Sequence, residues 1–169
     1  MVAIEEGERP HAFIDKAAAI LDGITDGTLM ILKGHLLLEE LLYAAVLYKC
    51  PNPAYLENSQ LRFFQLLRLV RALYLGPPPE QTGPFNEAAF WDALDALNTP
   101  RNRLAHKLEP KDLSALLQRM LVGGLEETVS LADPKTVHAI GFALSALIGL
   151  VLGGFSAARY ILVQRRDFP

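Results

Sequence analysis

The sequence predicts an all-α protein, a single-domain up-and-down helical bundle over residues 1–169, and three observations predict it. Apolar residues recur at helical spacing through every substantial segment, no segment alternates as a strand does, and nothing repeats with a period of 20 to 50 residues. The apolar fraction is 51% against 21% charged, with Leu, Ala and Val far outnumbering Ser and Gln, which excludes a disordered chain. A chain of 169 residues buries a sizeable core but is short for two ordinary domains.

The elements follow in order. Phe13, Ala17, Ile20 and Leu21 stand at helical spacing in a short helix over about 13–24, ended by Gly23 and restarted after Asp26-Gly27. Thr28 to Cys50 is the longest clear helix, with Leu29, Leu32, Leu36, Leu37, Leu41 and Val46 apolar, Lys33, Glu39 and Glu40 on a polar stripe, and Pro51 and Pro53 as the stop. A third helix starts near Ser59 as N-cap and runs to Leu75, with Phe63, Phe64, Leu67, Val70 and Leu73 inward and Arg62, Arg68 and Arg71 outward. Gly76-Pro77-Pro78-Pro79 ends it and begins a long loop to Phe85, since three prolines remove backbone donors and force extended geometry. Asn86 caps a fourth helix, Glu87 to Asn98, with Phe90, Trp91, Leu94 and Leu97 apolar. Thr99-Pro100 reads as an N-cap followed by proline at the first helical position, so a new or kinked helix is expected there. After Pro110, Asp112 to Val122 is a further amphipathic helix ended by Gly123-Gly124, and Pro134 to about Arg165 is the last, long one.

The net charge is -3, so the surface as a whole is not the basic sheet of a non-specific nucleic-acid coat, and any polyanion site is local. The basic part is the middle: residues 62–111 carry seven Lys/Arg against five Asp/Glu, whereas residues 1–61 carry four against nine. Cys50 is the only cysteine and supports neither an intramolecular disulfide nor a cysteine cluster, and Glu5, Glu6 and Glu8 are foreign to a signal peptide. A reducing cytoplasm is the expected compartment. His11 and His138 sit in unrelated segments, so no metal site and no cofactor is expected.

Residues 136–158 hold no Lys, Arg, Asp or Glu, a run of 23 that meets the length criterion for a membrane span. His138, Ser145, Ser156 and four glycines weigh against insertion, and a central, all-round apolar helix of a bundle explains the same run, so the reading is against a membrane. Gly141, Ser145, Gly149 and Gly153 recur every four residues and put small side chains on one stripe, where another helix packs closely, from inside the chain or from a second copy.

Chemistry concentrates at Arg101-Asn102-Arg103-Leu104-Ala105-His106. Arg101 and His106, five apart, stand about 140° around a helix and flank a groove, and Asn102 and His106 share a face. With Thr99 as cap, Arg101 and Asn102 fall in the first turn, where free amides and the helix dipole favour a phosphate and an arginine adds bidentate recognition. A histidine there can take or give a proton at a ribose oxygen. The alternative is a solvated face of Arg101, Arg103 and Lys107 with an ordinary helix-terminal histidine.

The run resembles the Arg, four residues, His motif of the HEPN superfamily in its Arg-Asn-x-x-Ala-His form. With Lys33-Gly34-His35-Leu36-Leu37-Leu38-Glu39-Glu40, Asn52-Pro53 and Leu61 to Leu75, the resemblance spans roughly residues 28–110 and is to uncharacterised bacterial proteins of that superfamily. It implies a helical bundle, a homodimer whose two motifs face one cleft, and metal-independent RNA cleavage by a toxin or defence effector. The implied roles are His106 as general base on the ribose 2'-hydroxyl, Arg101 on the scissile phosphate and Asn102 as orienting group. An antitoxin or regulatory protein is the partner such a toxin has. Two departures stand out. Pro100 replaces the apolar, helix-continuing residue usual in the group, and Leu108 replaces the tyrosine through which some HEPN toxins are neutralised.

Beside the motif, His35, Glu39 and Tyr43 stand at i, i+4 and i+8, a spacing at which the carboxylate orients the imidazole as support for the site, or at which the three form a plain polar seam. Arg62, Arg68 and Arg71, with Arg103 and Lys107, make a positive strip for an RNA backbone, or the wet side of amphipathic helices. Phe90 and Trp91 read as core. Two functions remain: a HEPN-type endoribonuclease, and a non-catalytic regulatory or interaction module that uses the groove or the small-residue stripe.

Overall fold

The computed structural model describes residues 10–56, 59–73, 87–106, 117, 119 and 130–166, with side chains for 13–56, 59–73, 87–99, 104, 117, 119 and 130–153. The helices with defined bounds are α1 (Pro10–Leu21), α2 (Gly27–Lys49), α3 (Phe63–Leu73), α4 (Glu87–His106) and α5 (Pro134–Arg166), with a 3-10 turn at Pro53–Tyr55 after α2. The described residues contain no strand, and the protein is all-α. The proline loop of residues 76–85, the Asn86 cap, Lys107, Leu108, Pro110 and Gly123-Gly124 lie outside the described residues. Of the helix expected over Asp112 to Val122, only Leu117, fully buried, and Arg119, exposed, are described.

Local chemistry sets the helix ends. Gly23 closes α1 at φ +70°, a left-handed conformation that costs glycine nothing. Asp26 caps α2, its Oδ1 accepting from the Leu29 amide at 2.7 Å. Asp133 caps α5, taking the Thr136 amide at 3.2 Å and the Thr136 hydroxyl at 3.0 Å on one oxygen, with Pro134 at the first helical position. The cap of α3 lies later than Ser59: the Arg62 carbonyl accepts from the Gln65 and Leu66 amides, and Gln65 Oε1 returns a bond to the Arg62 amide at 2.8 Å.

The central place belongs to α2. It buries Met30, Ile31, Gly34, His35, Leu37, Leu38, Leu41, Leu42, Ala45 and Val46 and, among the helices with defined bounds, packs against the other four, most extensively α5. Leu29 and Leu36, expected inside, are exposed on it. The all-round apolar helix expected at the C-terminus is instead a peripheral one. In α5, Val137, Ile140, Leu144, Leu147, Ile148 and Val151 face the core, while Phe142 is 73% exposed and Leu150 faces outward. The stretch Pro134–Gly153 is long and apolar enough to cross a membrane, and one side of it is part of the bundle core.

α2 and α5 come close together at Gly34, whose missing side chain makes room for Leu144. Of the small-residue stripe, Gly141 touches the end of Met30, Ser145 bonds its hydroxyl to the Gly141 carbonyl at 2.9 Å, and Gly149 and Gly153 have open space where a side chain would project. The stripe therefore does not serve contact with another described helix of this chain beyond Gly141.

Candidate functional site

The residues of the motif occupy the last six positions of α4, a 20-residue helix that runs through Thr99 and Pro100 without a break. Of the two expectations, a new helix or a kinked one, the new helix capped by Thr99 is corrected: Thr99 lies inside α4. An interior proline removes one amide donor and crowds the preceding turn, at about 3 kcal/mol. Burial on both sides offsets that: Phe90, Trp91, Ala93, Leu94, Ala96 and Leu97 lie in the core before it, and Leu104 packs against the core after it. Arg101 and Asn102 thus lie well inside α4, away from the free amides of its first turn.

Within this frame positions 101 and 106 still stand about 140° apart and about 7.5 Å along the axis, on opposite walls of one helix surface. The side chains of Arg101, Asn102, Arg103 and His106, and all of Lys107, lie outside the described residues.

One turn before the motif, Asn98 carries the polar link that the sequence did not disclose. Its Oδ1 lies 3.4 Å from Nε2 of His35, a residue 63 positions away on α2 that is 1% exposed. The His35 ring stacks on Phe63 of α3, with centroids 4.3 Å apart and planes tilted by 30°. Three helices therefore meet at this imidazole. His35 thus reaches the helix that carries the motif, and the partner found for it is Asn98 rather than Glu39, which is half-buried on the same helix. Tyr43, third member of that spacing, donates its hydroxyl to the Leu56 carbonyl at 2.8 Å and holds the segment after α2. The one sequence signal for Asn98 was an amide four residues before Asn102, on the face that Phe90, Trp91, Leu94 and Leu97 otherwise keep apolar.

The arginines of α3 are exposed as expected. Phe63 meets His35 beside Asn98, and the Arg71 guanidinium stands 5.9 Å over the Trp91 ring, so α3 runs antiparallel to α4 with Arg62 at the motif end. Arg68 lies 5.9 Å over Phe64, itself 43% exposed. Trp91 is buried and donates its indole N-H to Glu87 at 2.9 Å, as a core residue does. Among the described residues no three His, Cys, Asp or Glu side chains converge to hold a metal ion.

No family model, no curated protein and no solved structure matches this chain.

Proposed function

We propose that the chain is a metal-independent endoribonuclease of the HEPN type, acting as a homodimer in a reducing cytoplasm as a toxin or defence effector. The observation that supports this best is the position of Arg101, Asn102 and His106 on one helix whose preceding turn is tied by Asn98 to a buried histidine. Arg101 holds the scissile phosphate, Asn102 orients the site, and His106 takes the proton of the ribose 2'-hydroxyl. The 2'-oxygen attacks the adjacent phosphorus, the 5'-oxygen leaves with a proton from solvent, and a 2',3'-cyclic phosphate remains. Because the motif lies away from the free amides of the first turn of α4, Arg101, with Arg103 and Lys107, supplies the positive charge, and Arg62, just before α3, with Arg68 and Arg71 on it, extends that charge.

Purified protein incubated with RNA in EDTA is expected to yield 2',3'-cyclic phosphate ends, with the rate lowered by about a hundredfold or more in His106→Ala. Intact RNA across varied substrates overturns the reading.

A second reading is favoured by the outward face of α5, where Phe142 and Leu150 flank the open positions Gly149 and Gly153. There the chain is a non-catalytic module that associates through this face, with a second copy or a regulatory protein such as an antitoxin. It predicts that Arg101→Ala leaves the biological effect intact while bulky replacements of Gly149 or Gly153 abolish association.

A further inference from the structure

We infer that His35 and Asn98 are a positioning pair that sets the rotation of α4 at the motif, an inference that rests on the ribonuclease reading for its catalytic consequence but not for its structural one. His35 and Thr136 are the buried polar residues among those described, and Thr136 is accounted for by the cap of α5. His35 instead meets Asn98 of another helix. Its neighbours on the buried side of α2 are Gly34, Leu37, Leu38, Leu41 and Leu42, so packing alone is met by an apolar side chain at position 35.

Burying an imidazole in that company costs free energy unless it is hydrogen-bonded, and replacing both members of a buried polar pair by apolar groups is close to neutral for stability. What the polar pair adds is direction. The buried apolar side chains of α4 set its rotation coarsely by close packing, and the contact of Nε2 with one amide oxygen, 3.4 Å away, adds a directional preference at the turn before the motif. With Oδ1 facing the ring, Nε2 carries the proton and donates to Asn98. Stacking on Phe63 fixes the plane of the ring, so the direction of that N-H is set by α3 as well as by α2.

The place where this direction is imposed matters. Pro100 deprives the Ala96 carbonyl of its intrahelical donor and loosens the turn 96–100 that carries Asn98, just before the motif. The helix is held at that weak point by the bond at Asn98 and after it by the packing of Leu104 on the core. Position 98 lies one turn below positions 101 and 102 and, in projection, between them, about 60° from one and about 40° from the other. A roll of α4 at Asn98 is therefore transmitted to both the phosphate-binding and the orienting residue.

The test uses the full chain with His35→Leu, His35→Gln, Asn98→Leu and the double His35→Leu/Asn98→Leu. Glutamine places an amide N-H near the position of Nε2 and keeps the donor. Expected are an imidazole NMR spectrum in which wild-type His35 is protonated at Nε2, and a change of that signal in Asn98→Leu. Backbone amide shifts over residues 101–106 are expected to move in both leucine variants and to return in His35→Gln. In RNA cleavage, kcat falls by about tenfold to a hundredfold in either leucine variant with KM changed less than about twofold, the double is no worse than the singles, and glutamine restores most of the rate. If wild type cleaves and the leucine variants keep its kcat, the inference is overturned while the ribonuclease reading stands. If wild type does not cleave, that reading fails and the amide shifts decide: unmoved shifts at 101–106 in both leucine variants overturn the positioning role, and moved shifts that glutamine restores support it.

Discussion

Gly34 of α2 faces Leu144 of α5 so closely that a Cβ on Gly34 would lie 2.7 Å from Leu144 Cδ2 and nearer still to Cδ1. Leu144 is fully buried and its neighbours leave it little room to turn aside. Gly34→Ala is expected to lower stability by about 1–3 kcal/mol in denaturant unfolding, the cost of overpacking exceeding alanine's helix preference. Gly149→Ala, in open space, is expected to be neutral or to gain up to about 1 kcal/mol. Equal effects at the two sites contradict this assignment of the close helix contact.

The arginines of α3 make a separable contribution. Arg62→Ala and Arg68→Ala are each expected to raise KM for RNA with little change in kcat, and to lower the slope of log affinity against log salt by about one for each phosphate left without its arginine. Arg71→Ala is expected also to destabilise the fold, because that guanidinium covers Trp91. Salt slopes unchanged in all three variants remove α3 from the RNA path.

Two exposed carboxylates contribute to acid stability. The hydrogen bond from the Thr136 hydroxyl, aided by the Lys135 and Thr136 amides, holds the Asp133 carboxyl below its ordinary value of 3.8. The bidentate pairing with Arg119, at 2.5 and 3.3 Å, lowers that of Asp92. A carboxylate depressed in the folded state stabilises it in full above the unfolded pKa and loses that contribution as pH falls through the folded one. The melting temperature is therefore expected to begin falling below about pH 4 on account of these groups. Asp133→Asn keeps a capping oxygen without the titration and is expected to flatten this decline, and an unaltered pH slope speaks against the cap as its source.

The outward face of α5 supplies a test of assembly. With Phe142 73% exposed and Leu150 41%, Leu150→Lys and Phe142→Asp are expected to leave the melting temperature near wild type. If α5 is the dimer face, light scattering shows the mass halved in these variants. A dimer that survives both substitutions places its interface elsewhere.

The sequence by itself determined what neighbours along the chain decide. The glycine turn at Gly23, the restart after Asp26-Gly27, the Pro51 stop and the Pro134 start are interactions within a few residues, and the apolar periodicity of α1 and α4 is a property of each helix alone. Tertiary structure decided the rest, because competition between distant segments does not appear in local pattern. Two helices were apolar enough to be central, and α2 took the place through Gly34, which lets α5 come close on one side while α3 and α4 cover the other. Pro100 read locally as a helix start, yet α4 passes through it, since the burial of Leu97 before it and the packing of Leu104 after it outweigh one missing amide donor. The spacing of His35, Glu39 and Tyr43 allowed either support by the carboxylate or a plain polar seam, and folding brings His35 to Asn98 across 63 residues.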